Sequence, residues 1–256
     1  MTVLHSLAAL AALAALTACT ELRSDTGPDH LERQFEDSGE NFALAFDGID
    51  DYATSATAQF PDGRHEQTVS TWFMVDTLAE RVALITLRKD LESGIELGLR
   101  QGLVGAWRVL GDRQQVIAKT PITTGKWHHA AFTFDGTTNQ LYVDGVQVAS
   151  STEAPDKRTP TSCWLGTLDG RRDLFAGRMD DVHVFETVRT GEQLAAEFAG
   201  NFPKNEPGLV LDLRFDESAG NVLFDHTERA NDAQLGDGVA LRMPERVPAN
   251  LPQSEH

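Results

Sequence analysis

Two adjacent histidines, His128 and His129, lie in the stretch "GKWHHAAFTFDGTTNQLYVDGVQV" at residues 125–148. Imidazoles are common metal ligands, and the aromatic and β-branched residues around this pair are typical of β-strands. Because successive side chains leave opposite faces of a strand, the two rings cannot bind one ion together. We therefore predict structural roles. One histidine packs beside Trp127 and bonds to a neighbouring loop, and the other faces outward.

Residues suited to binding a sugar occur at two other places in the chain. Aromatic side chains and a few well-placed polar groups line most ligand sites. The sequence offers Trp107 in "GAWRVL" and Trp164 in "SCWLG", with Arg171 and Arg172 in the turn "LDGRRD". These four are the candidate ligand-binding residues. The alternative for both tryptophans is burial, since an aromatic residue within a strand usually fills the core.

The composition indicates an acidic body without affinity for nucleic acid. The chain has 39 acidic and 22 basic side chains and a net charge of -17. Such a surface repels nucleic-acid phosphates and anionic lipid headgroups, so nucleic acid is excluded as a partner. The two cysteines, Cys19 and Cys163, cannot form a disulfide framework, and the core alone must hold the fold.

Residues 1–18 have the pattern of a signal peptide. Their apolar run is too short for a permanent membrane span, and "LTAC" resembles the bacterial lipobox. The resemblance implies cleavage before Cys19, acylation of Cys19 and a membrane anchor at that residue. An ordinary secretory peptide is the alternative, because the segment before the apolar run contains His5 but no Lys or Arg.

The residues after Cys19 add to this prediction. In lipoproteins of two-membraned bacteria an Asp after the Cys retains the protein at the inner membrane. Here the residue is Thr20, so the resemblance implies the outer membrane of the cell envelope. Residues 19–38 are polar, contain Pro and Gly, and are predicted to form a tether.

From Phe42 onward the sequence is typical of an all-β protein. Short runs such as "QTVSTWFMV" and "RVALITLR" are separated by Gly, Asp and Pro at intervals of roughly ten residues, which indicates a sandwich or jelly roll. Asp144-Gly145 predicts a two-residue hairpin, because both turn positions need positive φ. The segment "TGEQLAAEFAG" predicts one helix, with Thr190 as its N-cap and Gly200 after its end.

Several segments together resemble the bacterial laminin-G-like, concanavalin A-like jelly-roll family. They are "ALAFDGIDDYATSA", "QTVSTWFMV", "GKWHHAAFTFDGTTNQLYVDGVQVAS" and "SCWLGTLDGRRDLFAGRMDDVHVFETVRTGEQLAAEF", which together run from Phe42 to Phe198. The resemblance implies an antiparallel jelly-roll sandwich with one short helix, in a single domain over residues 39–245. The remaining residues, 246–256, are predicted to be a loose tail.

The segment "GLVLDLRFDESAGNVLFDHTERANDAQLG" looks like a phrase that usually precedes the opening strand of this family. Here it follows the helix. Only roughly fifty residues remain after the helix, too few for an independent sandwich. We interpret the segment as strands that complete the domain, with the start of a truncated second repeat as the alternative.

The resemblance also implies a calcium ion at the edge of the sandwich. If the opening and closing strands are neighbours, Asp47, Asp50 and Asp51 would meet Asp180 and Asp181, and calcium binds six to eight oxygens. Asp47, Asp50 and Asp180 are the expected ligands of a structural calcium. The alternative is that the first group only forms turns.

Enzymatic activity is not expected. Glucanases among the relatives use paired glutamates two or four residues apart on one strand, whereas "IELGLR" offers only Glu96. The sequence has no Gly-x-Ser-x-Gly, no His-Glu-x-x-His and no phosphate-binding loop. We predict a non-catalytic binding module of an envelope lipoprotein that recognises a glycan or a protein. The alternatives are an assembly partner in an envelope complex and, less favoured, a glycoside-acting enzyme.

Overall fold

The fold is described from a computed structural model, over residues 41–56, 58, 60, 65–91, 93–109, 113–153, 159–204 and 206–252. The predicted signal peptide, Cys19 and the tether up to residue 38 lie outside the described residues. Within these ranges no helix is both long enough and apolar enough to cross a membrane.

Antiparallel strands form a first sheet of eight. They are β1 (Phe42–Asp47), β3 (Gln67–Val75), β8 (Trp127–Phe134), β9 (Asn139–Val143), β10 (Val146–Ser151), β12 (Ala176–Phe185), β13 (Leu209–Leu213) and β16 (Glu245–Pro248). The order across the sheet is β10-β9-β8-β3-β12-β1-β16, and β13 also pairs with β12.

A second antiparallel sheet also has eight strands. They are β2 (Ala53–Ser55), β4 (Arg81–Asp90), β5 (Ser93–Arg100), β6 (Leu103–Arg108), β7 (Arg113–Ile117), β11 (Ser162–Leu165), β14 (Val222–Leu223) and β15 (Ala233–Leu235). Their order across the sheet is β14-β15-β2-β11-β4-β5-β6-β7. Along the chain, β15 is followed by two 3-10 turns, at Gly236–Gly238 and Ala240–Arg242. The predicted all-β antiparallel sandwich is therefore confirmed.

The hydrophobic core lies between the two sheets. Phe73 and Phe132 enter it from the first sheet, and Leu97 and Leu165 enter it from the second, each at most 2% exposed. Side chains of this size contribute about 1.5–3 kcal/mol each when fully buried. Alternate residues of each strand point away from this core, toward the outer faces of the two sheets.

The predicted hairpin and helix are both confirmed. Asp144 and Gly145 have φ values of 51° and 73°, and Val143 pairs with Val146 across the turn. Helix α1 (Gly191–Phe198) begins after Thr190, whose side chain accepts a hydrogen bond from the Gln193 backbone while the Gln193 side chain accepts one from the Thr190 backbone. This reciprocal pair satisfies two N–H groups that a helix end otherwise leaves free.

The described residues after helix α1 are built into both sheets. Strand β15 pairs with β2, β13 pairs with β12, and β16 pairs with β1. The prediction of a loose tail from residue 246 is wrong over the residues described. Arg246 and Val247 lie in β16, and Ala249 and Leu251 are buried beside Trp72. Apolar residues between the prolines cover part of the outer face of the first sheet. The proline-rich composition of this segment led to the prediction of a loose tail.

Candidate functional site

The acidic corner, which we define as Asp47, Asp50 and Asp51, follows the first strand. One carboxylate oxygen from each residue lies within 4.8 Å of the others. The Asp47 carboxylate accepts backbone hydrogen bonds from Ile49 and Asp50, and Asp51 accepts one from the Asp47 backbone at 2.9 Å. Burial, with added repulsion from Asp47 and Asp50, raises the pKa of Asp51 to about 6. The corner thus serves as a turn and also gathers oxygen donors of the kind that calcium prefers.

Asp180 does not join the acidic corner. Strands β1 and β12 are neighbours as expected, but they are antiparallel, and Asp47 lies opposite Ala176. Asp180 is four residues further along β12, which is about 13 Å of extended chain. It is buried opposite Trp72, where burial and the charge of Asp181 raise its pKa. The expectation that Asp47 and Asp180 share one ion is therefore wrong.

Both histidines have structural partners. His128 bonds to the neighbouring loop at Thr123, as predicted, and its Nδ1 lies 2.9 Å from Asp144. His129 is fully buried, with its ring 5.5 Å from that of Trp72 and its Nε2 3.3 Å from Glu197. The expectation that the second histidine faces outward is wrong, because helix α1 covers this face of the first sheet.

Glu197 is the centre of a buried polar network under helix α1. Its Oε1 accepts hydrogen bonds from Ser70 at 2.7 Å and from His183 at 2.9 Å. Burial opposes the charge of Glu197, but His183 and His129 hold its pKa well below the usual value. Burial also disfavours a charged His183, yet Glu197 and Asp212 raise the pKa of that ring to about 10. The network fixes the helix to the sheet and leaves no open side for a ligand.

Trp107 cannot contact a ligand in this structure. It projects from the outer face of the second sheet but is 0% exposed, because the guanidinium groups of Arg81 and Arg100 lie 5.9 and 5.3 Å from its ring. The prediction that Trp107 lies in a strand is confirmed, and the prediction that it contacts a ligand is wrong. Its outward position is covered by arginine side chains instead of being open to solvent.

Glu96, the glutamate of the enzyme alternative, is equally enclosed. It is 0% exposed, and Arg81 donates to it from Nε at 3.2 Å and from Nη2 at 3.0 Å. Arg81 also pairs with Asp173 at 3.1 Å, on the loop that crosses this face of the sheet. A carboxylate held this way cannot reach a substrate, so its role is to position Arg81.

Trp164 lies on the outer face of the second sheet and is partly exposed. Its neighbours in β11, Cys163 and Leu165, point into the core. The Arg88 guanidinium lies 4.6 Å from the centre of the indole ring, and the indole N–H donates to the Ser162 hydroxyl at 3.2 Å. The tyrosine ring of Tyr52 lies 5.6 Å away.

The two predicted arginines lie on the loop that packs against Trp164. A Cβ added at Gly170 in this loop would come within 3.3 Å of the indole. Arg172 donates to the Asp169 carboxylate at 2.8 Å, while Arg171 is exposed. The structure therefore places the loop that carries Arg171 and Arg172 beside Trp164 and leaves Trp107 away from this loop.

An open depression of about 640 Å³ adjoins Trp164, and we call it the Arg88 depression; it is lined by Ala56, Arg88, Lys89, Asp90, Leu91, Thr161, Ser162 and Trp164. Arg88 was missed by sequence reasoning. Strand alternation was the signal that could have found it, since Arg88 shares the outward face with Thr86, the residue opposite Trp164.

Comparison with known proteins identifies the family. A laminin G family model, described as the Concanavalin A-like lectin/glucanases superfamily, matches residues 47–195, more than half of the chain. The chain belongs to this superfamily. No curated protein sequence matches it.

Solved structures share the concanavalin A-like fold at low sequence identity. A protein of Bacteroides ovatus ATCC 8483, proposed to bind carbohydrate, is 21% identical with a TM-score of 0.60; the alignment covers 77% of this chain and 58% of that one. The SAP-like pentraxin of Limulus polyphemus is 12% identical, with a TM-score of 0.54 and coverage of 68% and 90%. Domain 4 of the arabinanase AbnA from Geobacillus stearothermophilus, in complex with arabinotriose, is 22% identical, with a TM-score of 0.50 and coverage of 60% and 75%.

On the Trp164 face of this concanavalin A-like domain, the described carboxylates Asp169 and Asp90 already have hydrogen-bond partners. Asp169 is paired with Arg172, and Asp90 accepts a hydrogen bond from Ser93 at 2.8 Å. Cys163 faces the core, where burial raises the pKa of its thiol and disfavours the nucleophilic thiolate. Hydrogen bonding, ring contact and charge are what this face can offer a ligand.

Proposed function

We propose that this domain recognises a glycan without catalysing a reaction. The observation that carries the proposal is the open depression on the outer face of the second sheet, which Trp164 and Arg88 line. The loop that carries Arg171 and Arg172 packs against the same indole. Membership of a superfamily of lectins and glucanases supports it. Likeness to a Bacteroides ovatus protein proposed to bind carbohydrate, and to an arabinanase domain in complex with arabinotriose, supports it further.

The proposal includes an envelope location. Cys19 in the lipobox-like "LTAC" would carry the lipid, and Thr20 would direct the protein to the outer membrane. Metabolic labelling with an alkyne fatty acid tests this in bacterial cells. The full chain should become labelled and Cys19→Ser should not. Equal labelling of both, or of neither, would remove the lipid anchor from the proposal.

A structural calcium at the acidic corner is a further part of the proposal. Asp47, Asp50 and Asp51 would hold it, since their carboxylate oxygens lie within 4.8 Å of one another. When bound, the ion would offset two of the three neighbouring negative charges, and water or backbone oxygens would complete its six to eight ligands. Asp180 is not included in this set.

A carbohydrate array followed by affinity electrophoresis in polysaccharide gels tests glycan recognition. The full chain should be retarded by at least one polysaccharide, and Trp164→Ala should lose that retardation. Trp127→Ala, a matched change on the other sheet, should keep it. A chain that binds no glycan but captures one envelope protein would instead favour an assembly role.

A further inference from the structure

Among the described residues, Arg88 is a nearly buried cation that forms no ion pair at contact distance, although Asp169 and Asp90 lie near enough to favour its charge. It is 8% exposed, and its Nε is buried without a hydrogen-bond partner among the described residues. Arg81 and Arg214, by contrast, each form an ion pair with a carboxylate. Burial lowers the pKa of Arg88. A guanidinium stays protonated in proteins, so the buried charge is a cost that an anion would offset.

The position of Arg88 is fixed before any ligand arrives. Its guanidinium lies 4.6 Å from the Trp164 ring centre, a distance typical of cation–π contact. Its backbone carbonyl accepts hydrogen bonds from the Thr161 backbone and the Ser162 hydroxyl, both at 3.0 Å. Because its guanidinium already packs on the indole ring and its backbone is already hydrogen-bonded, Arg88 loses little conformational entropy when a ligand binds.

The surroundings of Arg88 are positive in a chain that is otherwise strongly negative. Lys89 lines the depression, and Arg171 and Arg172 lie on the loop against Trp164. The opposing charges are Asp90 and Asp169, which accept hydrogen bonds from Ser93 and Arg172. The whole chain carries a net charge of -17, so three cations, Arg88, Lys89 and Arg172, beside two anions are a local reversal among the described residues.

We propose that the Arg88 depression binds an anionic group of an acidic glycan, either the carboxylate of a uronic acid or a sulfate ester. Arg88 and Lys89 pair with the anion, and the exposed part of Trp164 contacts the sugar ring. Arginine presents parallel N–H donors that match both anions. This inference rests on the proposed glycan recognition and names the class of glycan.

The test compares glycans that differ only in charge. Affinity electrophoresis of the full chain uses polygalacturonate and its methyl ester for the carboxylate, and dextran sulfate and dextran for the sulfate. One charged polymer should bind at least about tenfold more tightly than its neutral form, with a strong dependence on salt. Which charged polymer binds better identifies the anion.

Variants assign the effect to the site. Arg88→Gln should abolish the preference for the charged polymer, and Lys89→Ala should reduce it several-fold. Lys126→Ala removes the same charge from the exposed turn before β8 and should leave the preference unchanged. Lys89 is exposed, so Lys89→Ala should fold normally. Its binding preference can therefore be measured even if Arg88→Gln lowers the melting temperature.

Each outcome decides between the two proposals. Equal binding of charged and neutral polymers, or a preference that survives both Arg88→Gln and Lys89→Ala, overturns the anion site and leaves glycan recognition standing. Absence of binding to any charged or neutral polysaccharide, array included, contradicts glycan recognition itself.

Discussion

The guanidinium carbon of Arg88 lies 4.6 Å from the centre of the Trp164 ring, on the face of the second sheet that points away from the core. The arginine covers part of the indole surface that would otherwise stack on a pyranose. Trp164 therefore packs against the Arg88 guanidinium and also lines the depression. Only the exposed part of its ring could contact a sugar. Under the proposed function, this pair would make charge, rather than stacking alone, the basis of selectivity for a glycan.

Arg171→Ala should weaken binding of an acidic glycan about three- to tenfold without lowering stability. Its side chain is exposed, and surface substitutions of this kind usually change the free energy of unfolding by less than about 0.5 kcal/mol. Titration calorimetry and thermal melting measure the two effects. Lys126→Ala serves as the control of equal charge, and equal losses of affinity in both variants would mean that only net charge matters.

Calcium should raise the melting temperature of the metal-stripped chain near neutral pH and have little effect below about pH 4.5, where a protonated Asp51 is a poor ligand. The folded pKa of Asp51, about 6, is above its ordinary 3.8. The stability that its proton confers is thus present below pH 3.8 and is lost as the pH rises through about 6. Asp51→Asn should be at least as stable without metal and should lose the response to calcium.

The matched control for this change is Glu80→Gln, an exposed carboxylate on another loop. It should keep the full calcium effect, as measured by calorimetric titration and by scanning fluorimetry. Identical melting of the unmodified chain with and without calcium would rule out the ion at the acidic corner.

Glu197→Gln should destabilise the chain by about 3–5 kcal/mol, because it removes one of the two carboxylates that pair with the buried His183. The lowered pKa of Glu197 contributes stability above its ordinary value of 4.5, which is lost as the pH falls. The raised pKa of His183 contributes stability that is full below pH 6.5 and gone above about pH 10. Urea unfolding across this range should show a steeper alkaline loss in the unmodified chain than in the variant.

Glu192→Gln changes an exposed carboxylate on the same helix and should cost less than about 0.5 kcal/mol. If the two glutamate variants lose the same free energy of unfolding, the network does not fix the helix as described.

Gly145→Ala should be more destabilising than Gly136→Ala, although both glycines have positive φ, 73° and 90°. An added Cβ costs about 1–2 kcal/mol in the left-handed region at either position. At Gly145 it would also lie 3.0 Å from the Cα of Ala195 in helix α1, whereas at Gly136 nothing lies within 4 Å. Chemical unfolding of the two variants gives the difference. Equal losses of unfolding free energy in the two variants would show that the hairpin does not pack closely against helix α1.

Features that depend on neighbouring residues in sequence were predictable, and features that depend on which strands meet were not. The Asp144-Gly145 turn and the Thr190 cap are local, and both are found as predicted. The separation of Asp47 from Asp180 follows from antiparallel pairing, since Asp47 at the end of β1 lies opposite Ala176 at the start of β12, and Asp180 lies four residues further along.

The burial of Trp107 and the role of Arg88 required tertiary contacts. Both residues point outward from the second sheet, yet Arg81 and Arg100 enclose Trp107 whereas Trp164 remains partly open. No pattern within β6 or β11 distinguishes the two tryptophans, because the covering side chains come from other strands. Alternation along β4 does place Arg88 outward, but only the pairing of Arg88 with Ser162 brings it beside Trp164.

The most direct test of glycan recognition is the indole N–H region of a ¹⁵N–¹H correlation spectrum during titration with an oligogalacturonate and with a neutral oligosaccharide. The chain has four tryptophans, at 72, 107, 127 and 164, so the signals can be assigned by substitution. Recognition at the proposed face predicts that the Trp164 signal shifts progressively to saturation while those of the buried Trp72 and Trp107 stay in place. A Trp164 signal that does not move with any sugar, or movement confined to Trp127, would contradict it.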